Sequence, residues 1–117
     1  MGRQEYEPPV RRQLVDKETL KKLLTLEIGE KRGLQAVAQV KLYLPDNNWF
    51  WYASAFDGQD LLFGLVVGTV LELGYFSLSE LEEIKGPKGE LIKRDEDFEP
   101  TLLRDLKRKH KQEKDSS

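Results

Sequence analysis

Apolar residues alternate along residues 36–44. Ala36, Ala38, Val40, Leu42 and Leu44 are expected to face one way, and Val37, Gln39, Lys41 and Tyr43 the other. A period of two over nine residues marks a strand with one drier face. Pro45-Asp46-Asn47-Asn48 has turn chemistry and closes that strand. A second strand is predicted over 49–56, a third over 61–67 after the Asp57-Gly58 turn, and a fourth over 71–78. The three connections are short, which implies an antiparallel meander.

Helical spacing brackets this sheet. Leu20, Leu23, Leu24 and Ile28 form one apolar stripe, with Lys17, Lys21 and Lys22 on the other side. Asp16 is placed to cap the start of one helix, and Gly29 or Gly33 to end it. Ser79-Glu80-Leu81-Glu82 fits a capping box for a short second helix, which Gly86-Pro87 ends. Residues 88–99 read as irregular, with room for a short edge strand at Leu91–Arg94. Thr101 is the expected cap of a last helix that uses Leu102, Leu103 and Leu106 and turns wholly polar from Lys107. The expected fold is therefore α+β: a four-stranded antiparallel meander sheet, an N-terminal helix, a short helix after strand four and a C-terminal helix. Residues 1–15 are expected to be a flexible arm, 16–106 a single domain, and 107–117 a basic, frayed tail.

Composition narrows the chemistry. The 117-residue chain has no cysteine, which excludes disulfides, thiolate metal sites and cysteine nucleophiles. No apolar run approaches the roughly 18 residues of a spanning helix, so no membrane partner is expected. The N-terminus has no apolar signal region, and cytoplasm is the expected location. The formal net charge of −2 is unevenly laid out. Residues 33–71 hold one lysine against three aspartates, as suits a core. Residues 72–99 carry −5 and suit a solvated face, whereas residues 104–115 carry +3.

Few residues offer reaction chemistry. The run Trp49-Phe50-Trp51-Tyr52 gives its strand two apolar faces, so both need cover or a partner. The same run could instead serve as an aromatic platform, though between Ala36 and Glu72 only Lys41 would flank it. Asp57 and Asp60 are explained by turn chemistry. Glu80, Glu82 and Glu83 suit a helix start. Arg94, Asp95 and the acids around them could meet Glu80 and Glu83 in one acidic pocket. His110, the sole histidine, falls in the basic tail, without packed surroundings expected, and catalysis by it is not expected. No nucleotide-binding glycine motif precedes a helix. No cofactor and no metal site are expected.

Several strings then resemble a known family. Asn48-Trp-Phe-Trp-Tyr52, Phe56-Asp-Gly58, Phe63-Gly-Leu-Val-Val67 and Glu72-Leu-Gly-Tyr-Phe-Ser-Leu-Ser-Glu-Leu-Glu-Glu83 carry the likeness. So do Lys85-Gly-Pro87, Arg94-Asp95 and Phe98-Glu-Pro-Thr101. Together they resemble the bacterial domain of unknown function 2958, over about residues 19–102. The resemblance implies a small protein often carried by mobile elements. It transfers no activity and no catalytic residue.

The function expected from all this is a non-catalytic binding or accessory module with a protein partner. Its surface would draw on Trp49, Trp51, Tyr52, Asp57, Tyr75, Glu80, Glu83, Arg94 and Asp95. A second reading is nucleic-acid binding through Arg104, Lys107, Arg108, Lys109 and Lys111. A third is a small carboxylate- or metal-dependent hydrolase using Asp57, Glu80, Glu83, Arg94 and Asp95.

Overall fold

The computed structural model describes residues 12–116; most of the arm expected over 1–15 lies outside the described residues, as does residue 117. The chain runs α1 (Lys17–Leu20), α2 (Leu26–Arg32), a 3-10 turn (Gly33–Gln35), β1 (Val37–Ala38), β2 (Val40–Leu44), β3 (Trp49–Phe56), β4 (Leu61–Val67) and β5 (Leu71–Ser77). It continues through α3 (Leu78–Glu83), β6 (Lys93–Arg94) and β7 (Thr101–Leu102) into α4 (Leu103–Asp115).

The predicted meander is present as β2 to β5, but the sheet has five strands rather than four. Its order is β5-β4-β3-β2-β6. β6 lies antiparallel on β2, with Leu42 opposite Arg94 and Tyr43 opposite Lys93. Two forces bring it there. The fully buried Ile92 anchors the segment in the core, and the outer edge of β2 would otherwise leave backbone groups without strand partners.

The first predicted strand is broken at Gln39. β1 leaves the main sheet to pair with β7, Val37 opposite Leu102, while Gln39 donates its amide to the Ala53 carbonyl at 2.9 Å. The five alternate apolar residues therefore serve two faces. Val40, Leu42 and Leu44 pack with Trp51, Ala53, Leu62, Phe76, Leu81 and Ile92. Ala36 and Ala38 pack with Tyr52, Leu65, Val67, Leu103 and Leu106. Both faces of β3 are thus covered, as its aromatic run requires. Leu14 and Val15 also belong to the first of these clusters.

The N-terminal helix is two helices. Asp16 caps α1 as expected, accepting from the Thr19 amide at 3.0 Å. Thr25 then caps a new helix by accepting from the Ile28 amide. The break follows from β3, whose register shifts between Ala53 and Ala55. Beyond Ala53, where pairing with β2 ends, the Ser54 carbonyl and the Phe56 amide point away from β4 and have no strand partner. Leu24 satisfies both: its amide donates to Ser54 at 3.0 Å and its carbonyl accepts from Phe56 at 2.9 Å. An extended Leu24 cannot remain helical. Gly29 does not stop α2; it lies buried within it, against Ala55, where a side chain would sit 2.4 Å from the Ala55 Cβ. Gly33, at φ 52°, ends the helix.

Two other caps differ from expectation. Ser77, not Ser79, caps α3 through the Glu80 amide; Ser79 lies inside the first turn, where its amide donates to Asp60 at 2.7 Å and its hydroxyl at 2.9 Å. Thr101 lies in β7, and α4 starts after Leu102 without a side-chain cap. The Leu103 amide instead donates to the Ala36 carbonyl at 2.9 Å. From there α4 continues through the polar stretch to Asp115.

Candidate functional site

Two regions of the molecule concentrate features that could serve a function. The first is buried. Leu103, Leu106 and His110 recur at helical spacing and form the buried stripe of α4. That stripe lays His110 over β3, with its ring 4.8 Å from Phe50 and 5.5 Å from Tyr52. The Tyr52 hydroxyl lies 2.6 Å from His110 Nε2, and His110 Nδ1 lies 3.4 Å from a Glu113 carboxylate oxygen. His110 was expected to lack packed surroundings; it is one of the buried polar residues. The sequence signal that finds it is its place four residues after Leu106 and seven after Leu103.

Electrostatics fix the protons of this trio. Burial pushes the Tyr52 hydroxyl well above its usual value, and the charges of Glu113 and Asp95 add to that. Burial also lowers the His110 pKa, with Lys109, Lys41 and Lys114 lowering it further and Glu113 opposing them. Tyr52 therefore keeps its proton and donates it to neutral His110 at Nε2, leaving the ring proton on Nδ1, towards Glu113. Both ring nitrogens are engaged within the protein. The trio pins α4 to the sheet and occupies the imidazole on both sides.

The second region is open. The extended Leu24 and the short α1 leave a groove of about 500 Å³ floored by Leu20, Leu23, Leu24 and Phe56. Thr25, Gly58 and Gln59 close its sides, and Lys17 and Lys21 stand on its rim. A second cleft of about 330 Å³ shares Lys17, Leu20, Phe56 and Gln59 and runs on to Val15, Leu78 and Glu82. The two make one apolar trough with a cationic lip. Lys21 has an ion pair with Glu18 at 3.6 Å, but both side chains are largely exposed, so the pair holds Lys21 weakly. None of these groove residues stands out as a site residue in the sequence, because each reads there as ordinary arm, helix, strand or turn.

The sequence-predicted site residues are dispersed. Trp51 and Tyr52 are buried in opposite clusters. Trp49 is 38% exposed and lines a cleft with Asn47, Asn48, Gly68 and His110. Tyr75 is exposed on β5 and packs tilted against Phe63, with ring centroids 5.0 Å apart. Asp57 accepts the amides of Gln59, Asp60 and Leu61, which lowers its pKa. Arg94 binds Asp16 and Thr19 of the first helix cap, so its partners there are not Glu80 and Glu83. Those two glutamates are exposed. Asp95 pairs with Lys41 at 3.5 Å and shares a cleft with Tyr52. Among the described residues, no three His, Asp or Glu side chains are grouped to hold a metal ion. Nor is any described helix long and apolar enough to cross a membrane. Arg104, Arg108, Lys109 and Lys111 are exposed on α4, and Lys107 is half-buried.

Comparison with known proteins gives one result. Residues 14–107 match the profile of a family described as Protein of unknown function (DUF2958). No curated protein and no solved structure matches the chain.

Proposed function

The chain belongs to the DUF2958 family of proteins of unknown function, and from its own geometry we propose that it is a protein-recognition module. Its groove takes an apolar segment of another protein that carries acidic side chains beside the apolar ones. The observation that carries this reading is the trough of Leu20, Leu23, Leu24 and Phe56 rimmed by Lys17 and Lys21. An apolar floor supplies affinity by burial, and placed charges on the rim supply selection. The polar trio at His110 supports the same reading, since its donors and acceptors are directed at one another rather than at the groove. The family resemblance suggests a setting for such a module: a bacterial cytoplasm, as an accessory factor of a mobile element.

The test uses short peptides with a Leu-Phe core flanked either by aspartates or by lysines. The acidic peptide is expected to bind more tightly, by about tenfold. The double reversal Lys17→Glu/Lys21→Glu should invert that preference while leaving the circular dichroism spectrum unchanged. Equal binding of both peptides, or a preference unmoved by the reversal, would remove the groove from the account.

A further inference from the structure

The two edges of the main sheet are built differently. At one edge, β6 has two residues, both cationic, Lys93 and Arg94. Short length and positive charge are two common ways to stop an edge from recruiting another strand. At the other edge, β5 has seven residues, Leu-Glu-Leu-Gly-Tyr-Phe-Ser. It contains no proline or lysine and only one charge, Glu72, and it keeps a continuous register with β4 from Leu71 to Ser77. Among the described residues, no strand lies beyond it.

Hydrogen-bond parity identifies the groups that this edge presents. Leu78 donates its amide to the Asp60 carbonyl, and Gly68 to that of Val70. These contacts fall in the same register as the β4–β5 pairs, such as Gly64 with Gly74. In an antiparallel ladder, residues alternate between bonding inward and bonding outward. Glu72, Gly74 and Phe76 therefore bond to β4, and the outward amides and carbonyls belong to Leu71, Leu73 and Tyr75. Tyr75 is 49% exposed.

We propose that a second copy of this chain pairs antiparallel along β5, joining two sheets across a twofold axis. The register centred on Leu73 suits the residues present. It sets Leu73 against the partner's Leu73, and Leu71 against the partner's Tyr75 at both ends. Glu72 then faces the partner's Gly74, where an added side chain would meet nothing within 4 Å. A shift that centred the pair on Glu72 would oppose two carboxylates, which disfavours it. In this register the strand's one charge faces a glycine and its apolar residues face one another, so β5 can pair with a copy of itself without opposing like charges.

Two measurements on the full chain decide the matter. Sedimentation equilibrium should show a dimer in the micromolar range, and Tyr75→Lys, an exposed site, should weaken it by about tenfold or more. The chain has no native cysteine, so Leu73→Cys provides a single reporter. In the proposed register two such residues lie about 5.5 Å apart between Cα atoms. Oxidation or a short bismaleimide should link them, whereas Ile84→Cys, exposed at the end of α3 and outside β5, should stay unlinked. A native chain that remains monomeric at high micromolar concentration overturns the proposal, including one whose β5 takes up a different protein. So does a dimer unaffected by Tyr75→Lys, or equal linking of both cysteine variants.

Discussion

The trio Tyr52–His110–Glu113 and the groove beside α1 set paired polar groups against an open apolar surface. The trio holds the sole histidine and a phenol, yet each engages the other at 2.6 Å, and His110 is buried. The groove has volume and an apolar floor, but the charged groups that line it among the described residues are long, exposed lysines. Titratable groups in close contact are often read as reaction machinery. Here the direction of their hydrogen bonds argues for structure, and the poorer-looking region is the better candidate for function.

Breaking the trio should cost stability first. Tyr52 is among the largest fully buried side chains, and Tyr52→Ala should destabilise by about 3–5 kcal/mol in urea unfolding. Tyr52→Phe keeps the ring but leaves His110 Nε2 without its donor, at about 1–3 kcal/mol. The double variant Tyr52→Phe/His110→Leu should lose less than the two single losses added together, because no orphaned polar group remains. Simple additivity would mean that the hydroxyl and the imidazole do not act as a pair.

The trio also predicts a pH dependence. Burial holds the folded-state pKa of His110 below its ordinary value of about 6.5. As pH falls through that value the unfolded chain gains the proton first, so stability declines until the folded pKa is passed. Above pH 7 the contribution is fully present. Asp16 acts separately: Thr19 and then Arg94 hold its carboxyl well below the usual carboxylate range, so its contribution is lost only below about pH 4. Urea midpoints between pH 8 and 5 should fall in the native chain and flatten in His110→Gln. An unchanged slope in that variant would assign the acid loss to other groups.

How much of this was legible in the sequence depended on whether the governing contact was local. Alternation and turn chemistry placed β3, β4 and β5, because both act within a few residues. Asp16 was legible as a cap for the same reason. The departures have distant causes. Leu24 leaves the helix because the edge of β3 past the end of β2 takes up its backbone groups. The break at Gln39 follows from the hydrogen bond its amide donates to the Ala53 carbonyl and from β7, more than sixty residues away. Ser79 falls inside α3 rather than at its cap because the helix starts at Leu78, where Asp60 accepts the Leu78 and Ser79 amides. The groove exists only where these non-local choices meet, and no residue pattern announces it. His110 is intermediate: its spacing from Leu103 and Leu106 was visible, but the polar residues around it masked the stripe.

The smallest expected effect lies at the groove. Lys17→Glu/Lys21→Glu changes exposed side chains and should alter stability by less than about 0.5 kcal/mol, although it inverts peptide preference. A large loss of stability would make the lysines part of the fold rather than of a recognition surface.

The most direct measurement is an NMR titration of the acidic apolar peptide into isotope-labelled protein. The backbone amides of Lys21, Leu24, Phe56 and Gln59 should shift in a saturable way, while the His110 ring and the Trp49 indole stay in place. Shifts centred on His110 and Trp49, with the groove amides silent, would contradict the account.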